Sequence, residues 1–224
     1  MSFRGLFFGS MVVVAAMVVF AFIAESRLPA GTELPIHWNA AGVPDDFAPA
    51  LQALLLSPAI LAGASVLFWL LPSLEPLQNK LEGSAPLLKV SWLGIILLMC
   101  ILQAVVGLPA FGIEMPINAV LLGVGLLFLL IGNALPKSRP GFFVGIRTPW
   151  TITDTDNWIA THRLGGKLFM LAGAIIAALS LVPGILEMTA VVVVTAVLFA
   201  AFVPLVYSWW FWRTRAKTSG GDRP

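Results

Sequence analysis

The sequence predicts an all-α, polytopic integral membrane protein with six transmembrane helices and both termini in the cytoplasm. Composition points there first: of 224 residues, 59% are hydrophobic and only 11% charged, where a soluble domain carries about a quarter charged residues. A chain of mean hydropathy +0.95 cannot cover a water-facing surface. Segment length comes second. Residues 6–24, 51–71, 87–108, 117–135, 168–186 and 189–212 are apolar runs near the roughly twenty residues a helix needs to cross a bilayer core. The third observation is the placement of cations. Numbering the connections from a cytoplasmic N-terminus leaves Arg27 alone on the outer side, with the other twelve of thirteen Lys and Arg inside. The acidic residues split almost evenly, as expected of a rule that counts Lys and Arg rather than net charge.

The run at 6–24 follows Arg4, but its exit, Ala21-Phe22-Ile23-Ala24, lacks the small-residue pattern of a cleavable signal, so it reads as an uncleaved first span. The valine runs 12–14 and 191–194 disfavour a helix in water. In lipid, helix is imposed, because each unsatisfied backbone group costs several kcal/mol there. The chain divides into residues 1–72, two spans with an extracytoplasmic loop at 25–50, and residues 73–224, four spans with a cytoplasmic motif loop at 132–167. Trp69 and Trp92 read as interfacial anchors around the first inner loop, and Trp209, Trp210 and Trp212 as anchors closing the last span. Glu114 and Glu187 fall at outer ends, leaving Gln103 as a mid-membrane polar residue that reads as a hydrogen-bonding contact between helices. The single cysteine, Cys100, sits in an apolar run and reads as a small hydrophobe.

Two loops carry the chemistry. In the outer one, residues 34–49, Pro35 holds the chain extended, Asn39 to Pro44 supplies turn residues with Gly42 able to take positive φ, and Asp45 and Asp46 follow. Pro35, His37, Trp38, Asn39 and Gly42 are candidate recognition residues; the alternatives are a folded cap with Trp38 on the membrane surface, or a weak His/Asp cation site. In the inner loop Pro136 stops a helix, Gly145 lets Ile146 and Arg147 pack closely, and Thr148-Pro149-Trp150 makes a sharp corner. A new helix begins in Thr153-Asp154-Thr155-Asp156 with a Thr N-cap, placing Trp158 and His162 on one face at i, i+4, before a bend or close packing at Gly165-Gly166. Arg147 is expected to pair with Asp154 or Asp156. Arg147, Arg163 and Lys167 equally read as ordinary inner-side anchors, and His162 as a locally satisfied helix histidine.

These two loops resemble the SdpI-like bacterial membrane proteins, the immunity family for a sporulation-delaying toxin. The inner resemblance lies in Asn133, Pro136, Lys137, Arg139, Gly145, Arg147, Thr148, Trp150, Trp158, Thr161, His162 and Arg163; the outer segment resembles that family's N-terminal extracytoplasmic domain of unknown function. Gly141 departs from an expected Asn, and Ala50 from an expected Lys. The resemblance implies a multi-pass protein of the bacterial cytoplasmic membrane that protects against or senses a membrane-active peptide toxin and sequesters a cytoplasmic repressor. A small transporter for a lipid-like or peptide solute is the alternative. No HExxH, GxSxG or P-loop occurs, so enzymatic chemistry, a cofactor and a resident metal are not expected. The net charge of +2, spread over several loops, argues against direct nucleic-acid binding.

Overall fold

A computed structural model describes residues 2–74, 78–182 and 186–219. Six of its helices are long and apolar enough to cross a membrane. In chain order the elements are α1 (Phe3–Glu25), β1 (Glu33–Trp38), β2 (Pro44–Pro49), α2 (Ala50–Leu74), α3 (Gln78–Gly107), α4 (Asn118–Ala134), the short α5 (Pro149–Thr153), α6 (Thr155–Ser180) and α7 (Leu186–Ser219). Short 3-10 turns at Leu108–Phe111 and Leu135–Lys137 follow α3 and α4. The helices assemble mostly by sequential neighbours: α1 with α2 and α3, α2 with α3, α3 with α4, α4 with α6, and α6 with α7.

When every face of a helix is apolar, residue size rather than polarity selects the inward face. In α2 the buried positions are Ala50, Ala53, Leu54, Ser57, Pro58, Leu61 and Ser65, a stripe at helical spacing dominated by small residues. The large side chains Leu56, Ile60, Val66, Leu67 and Trp69 face outward. The same principle is strongest between α4 and α6. A Cβ placed on Gly125 would lie 2.8 Å from the carbonyl oxygen of Gly173, and one on Gly132 would lie 2.8 Å from that of Gly166. Two glycines seven residues apart on each helix thus bring two antiparallel backbones into direct contact. Side chains cannot be added there without separating the helices.

Several expectations are corrected. Residues 155–180 form one continuous helix, so the short motif helix and the fifth span are a single element through Gly165-Gly166. Of the two readings, a bend or close packing, both glycines serve close packing: Gly165 against Ile146 and Pro204, Gly166 against the Gly132 carbonyl and Pro136. That span ends at Ser180 rather than 186. Pro183 and Gly184 are ordinary helix-ending signals that the apolar run concealed; residues 183–185 lie outside the described residues. Trp92 is no interfacial anchor. It is fully buried, donates Nε1–H to Ser65 Oγ at 3.1 Å and stacks on Phe68. Gln103 is buried with neither amide atom hydrogen-bonded, so it forms no polar link between helices. Finally, the connection between α1 and α2 contains a two-stranded antiparallel hairpin, a small addition to an otherwise helical fold.

Candidate functional site

Functional candidates lie at opposite ends of the helix bundle. At the motif end, the chain leaves α4 through the 3-10 turn and is tied to α3, where Ser84 Oγ donates to the Arg139 carbonyl at 2.8 Å. Trp158 and His162, one turn apart on α6, are both fully buried and stack with ring centroids 4.0 Å apart. The Ile146 N–H donates to His162 Nε2 at 2.8 Å, so the ring proton sits on Nδ1 and is donated to the Trp158 carbonyl at 2.8 Å. Gly145 makes this possible. Its φ is +119°, and a Cβ there would meet His162 Nε2 at 2.6 Å and the Trp158 ring at 2.7 Å. Trp158 Nε1–H in turn donates to the Ser138 carbonyl at 3.3 Å.

From Ile146 the network continues inward. Thr151 Oγ1 donates to the Ile146 carbonyl at 2.9 Å, and a capping box between Thr148 and Thr151 starts α5. Ser208 of α7 places its hydroxyl 3.1 Å from Thr148 Oγ1. Asn157 donates to the Ser208 carbonyl at 2.9 Å and accepts from Thr161 Oγ1 at 3.0 Å. Thr148, Thr151, Asn157, Thr161, His162 and Ser208 are all buried. Their hydrogen bonds lock the loop, α5, α6 and α7 into one body. Sequence reasoning placed Thr161 in the motif beside His162 and Arg163, but missed Thr151, Asn157 and Ser208. Thr151 carried a signal, since Thr148-x-x-Thr151 has capping spacing; Ser208 carried none, because its partners are remote in sequence.

The exposed residues of the motif tell a different story. Asn133, Lys137, Arg139, Arg147 and Arg163 are all exposed, and Trp150 packs at 5.8 Å against Trp212. Lys137 Nζ reaches Asn133 Oδ1 at 3.5 Å, and Pro136 lies on Gly166. Arg147 does not pair with either aspartate as expected; its Nη1 donates to the Phe142 carbonyl. Asp154 is committed as the N-cap of α6, accepting from the backbone N–H groups of Asp156 and Asn157 at 2.8 and 3.2 Å, so the cap is an aspartate and not a threonine. Asp156 instead pairs with Arg215 at 2.7 Å. The result is a rigid platform with a basic outer face.

At the other end, Leu34, Ile36 and Trp38 of β1 and Ala48 of β2 pack on a cluster of Ala21, Ala24, Ala53, Leu54 and Val106. The alternation of strand side chains puts every second residue on the bundle. Pro35 stands opposite Phe47 in the ladder. The hairpin turn is built by Asn39, whose Oδ1 accepts from Ala41 and Val43 N–H at 2.9 and 3.1 Å, and by Gly42 at φ +74°. His37 Nδ1 lies 2.6 Å from Asp45 Oδ1, with both side chains exposed. Among the described residues, no three His, Cys, Asp or Glu side chains converge to hold a metal. Trp38 is half-buried and packs against the cluster at this end of the bundle.

Residues 137–208 match the SdpI/YfhL protein family, and residues 12–62 match a domain of unknown function, DUF1648. Over 205 residues the sequence is 26% identical to Immunity protein SdpI of Bacillus subtilis (strain 168), covering 91% of this chain and 94% of that protein. The chain resembles that immunity protein along nearly its whole length. Its first matched region spans the motif network from Lys137 to Ser208, and its second contains the whole hairpin. No solved structure matches this SdpI-like chain. With its six apolar helices it is a multi-pass protein of the cytoplasmic membrane.

Proposed function

We propose that this SdpI-like protein is a non-enzymatic immunity and sensing protein with its termini in the cytoplasm. Its hairpin meets a membrane-active peptide outside, and its motif platform holds a soluble regulator inside. The match with an immunity protein along nearly the whole chain supports the class of activity. The orientation rests on the distribution of Lys and Arg. The observation that carries the division of labour is the contrast at the motif end: buried polar side chains bonded to one another, beneath an exposed basic face of Lys137, Arg139, Arg147 and Arg163. A surface so held can present cations to an acidic segment without reorganising.

The test is survival of a peptide-sensitive bacterium expressing the wild-type chain, Trp38→Ala or His37→Ala under a panel of membrane-active peptides. Protection should vanish in both variants while membrane abundance is unchanged. Abundance falling in step with protection would reduce the hairpin to a structural cap. Solute-dependent flux in liposomes by the wild-type chain would favour a transporter instead.

A further inference from the structure

The hairpin does not seal the bundle end. Beneath its tip lies a cavity of about 430 Å³, bounded by Ile36 and Trp38 of the hairpin, Leu102 of α3, Leu121 of α4, and Val193 and Val194 of α7. This is within the roughly 300–1,000 Å³ range of small-ligand sites and suits one large apolar side chain. Its lower wall is aliphatic; at its mouth stand His37 and Asn39, both exposed. The surrounding surface is acidic. Glu25, Glu33, Asp45, Asp46 and Glu114 are exposed at this end. Among the described residues they face one basic side chain, Arg27, whose guanidinium lies 4.7 Å from the Phe111 ring centre. Asp45 is bonded to His37, Asp46 stands opposite His37 in the ladder, and Glu114 precedes Ile117, which also lines the cavity.

An apolar cavity with carboxylates beside its lining residues selects its occupant. An anionic phospholipid would set its phosphate near those carboxylates, and a second copy of this chain would present the same ones. A partner with an apolar anchor and adjacent cations is matched on both counts. We propose that this cavity is a receptor site for a cationic amphipathic peptide, one large apolar side chain entering between Trp38 and Val194 and its Lys or Arg side chains lying along Asp45, Asp46 and Glu114. The proposal rests on the hairpin facing outside, as in the reading above.

The experiment uses the full chain in phosphatidylcholine nanodiscs, titrated with a labelled Leu/Lys amphipathic peptide and its Leu/Glu counterpart, with empty discs as the baseline. The Leu/Lys peptide should bind above baseline, more weakly as salt rises, and the Leu/Glu peptide should not. Val194→Trp, which fills the cavity from a lipid-exposed helix position, and the double change Asp46→Asn with Glu114→Gln should each weaken binding by roughly tenfold. Val206→Trp, equally lipid-exposed but outside the cavity, should leave binding unchanged. Equal binding of both peptides, none above baseline, or wild-type affinity in Val194→Trp would overturn the proposal. If Val194→Trp protects cells fully where Trp38→Ala does not, the hairpin still recognises a peptide and only the cavity is wrong.

Discussion

At the scale of single residues, the motif divides into side chains that build it and side chains that face outward. Gly145 and His162 belong to the first group. Gly145→Ala forces a Cβ onto the Trp158–His162 stack at a positive φ, and a strained backbone of this kind costs about 1–3 kcal/mol before any clash. His162→Leu leaves the Ile146 N–H without its acceptor, a loss of about 1–3 kcal/mol. Both variants should lower the thermal midpoint in detergent and reduce membrane abundance; normal midpoints would show that the stack is dispensable. Arg147 belongs to the second group, since it is exposed and engages a single backbone carbonyl. Its planar fork can still grip a carboxylate, which Lys reproduces poorly. Arg147→Lys should therefore keep abundance and topology while weakening capture of the regulator, and Arg163→Lys should be milder. Wild-type recruitment of a repressor to membranes by Arg147→Lys would make the residue an anchor only.

Among elements, the α4–α6 pair carries the most demanding geometry. Gly166→Val places side-chain atoms against the Gly132 carbonyl and Pro136, where a Cβ alone would already be 2.7 Å away. Overpacking of this kind costs about 1–3 kcal/mol or more, so abundance should fall sharply. Gly63→Val on α2, with nothing within 4 Å of its Cβ, is the matched control and should be silent. Comparable loss in both would mean that glycine in these helices matters for something other than packing. Elements were legible in unequal measure. Spans 6–24 and 51–71 fall inside α1 and α2 because their boundaries coincide with real composition changes. The hairpin was obscured by Pro35, Pro44 and Pro49, which argue against strands, although Leu34, Ile36 and Trp38 already showed the alternation that docks it.

For the whole molecule, the testable property is orientation. In a Cys100→Ala background, a cysteine at Ala41 should react with an impermeant thiol reagent on intact cells. One at Asn133 or Arg163 should react only after permeabilisation. Labelling of the Asn133 position from outside would invert the topology and place the hairpin in the cytoplasm. The two candidate surfaces stand at opposite ends of the bundle, and this labelling pattern decides which of them a secreted peptide can reach.

The sequence by itself determined the class of fold, the number of spans and the two loops worth attention, because bilayer solubility acts on composition and length, which are local properties. It also marked Gly145, Thr148, Trp158 and His162 as a group. Tertiary structure decided what those residues do. Whether Gly165-Gly166 bends or packs depends on Gly132 and Pro136 across the interface, and whether Trp92 anchors or fills depends on Ser65 and Phe68 of another helix. The bonds from Ser208 to Thr148 and Asn157, and the cavity that joins the hairpin to α3, α4 and α7, unite residues far apart in the chain. Periodicity reports how one helix meets its surroundings; only packing decides which residues those surroundings contain.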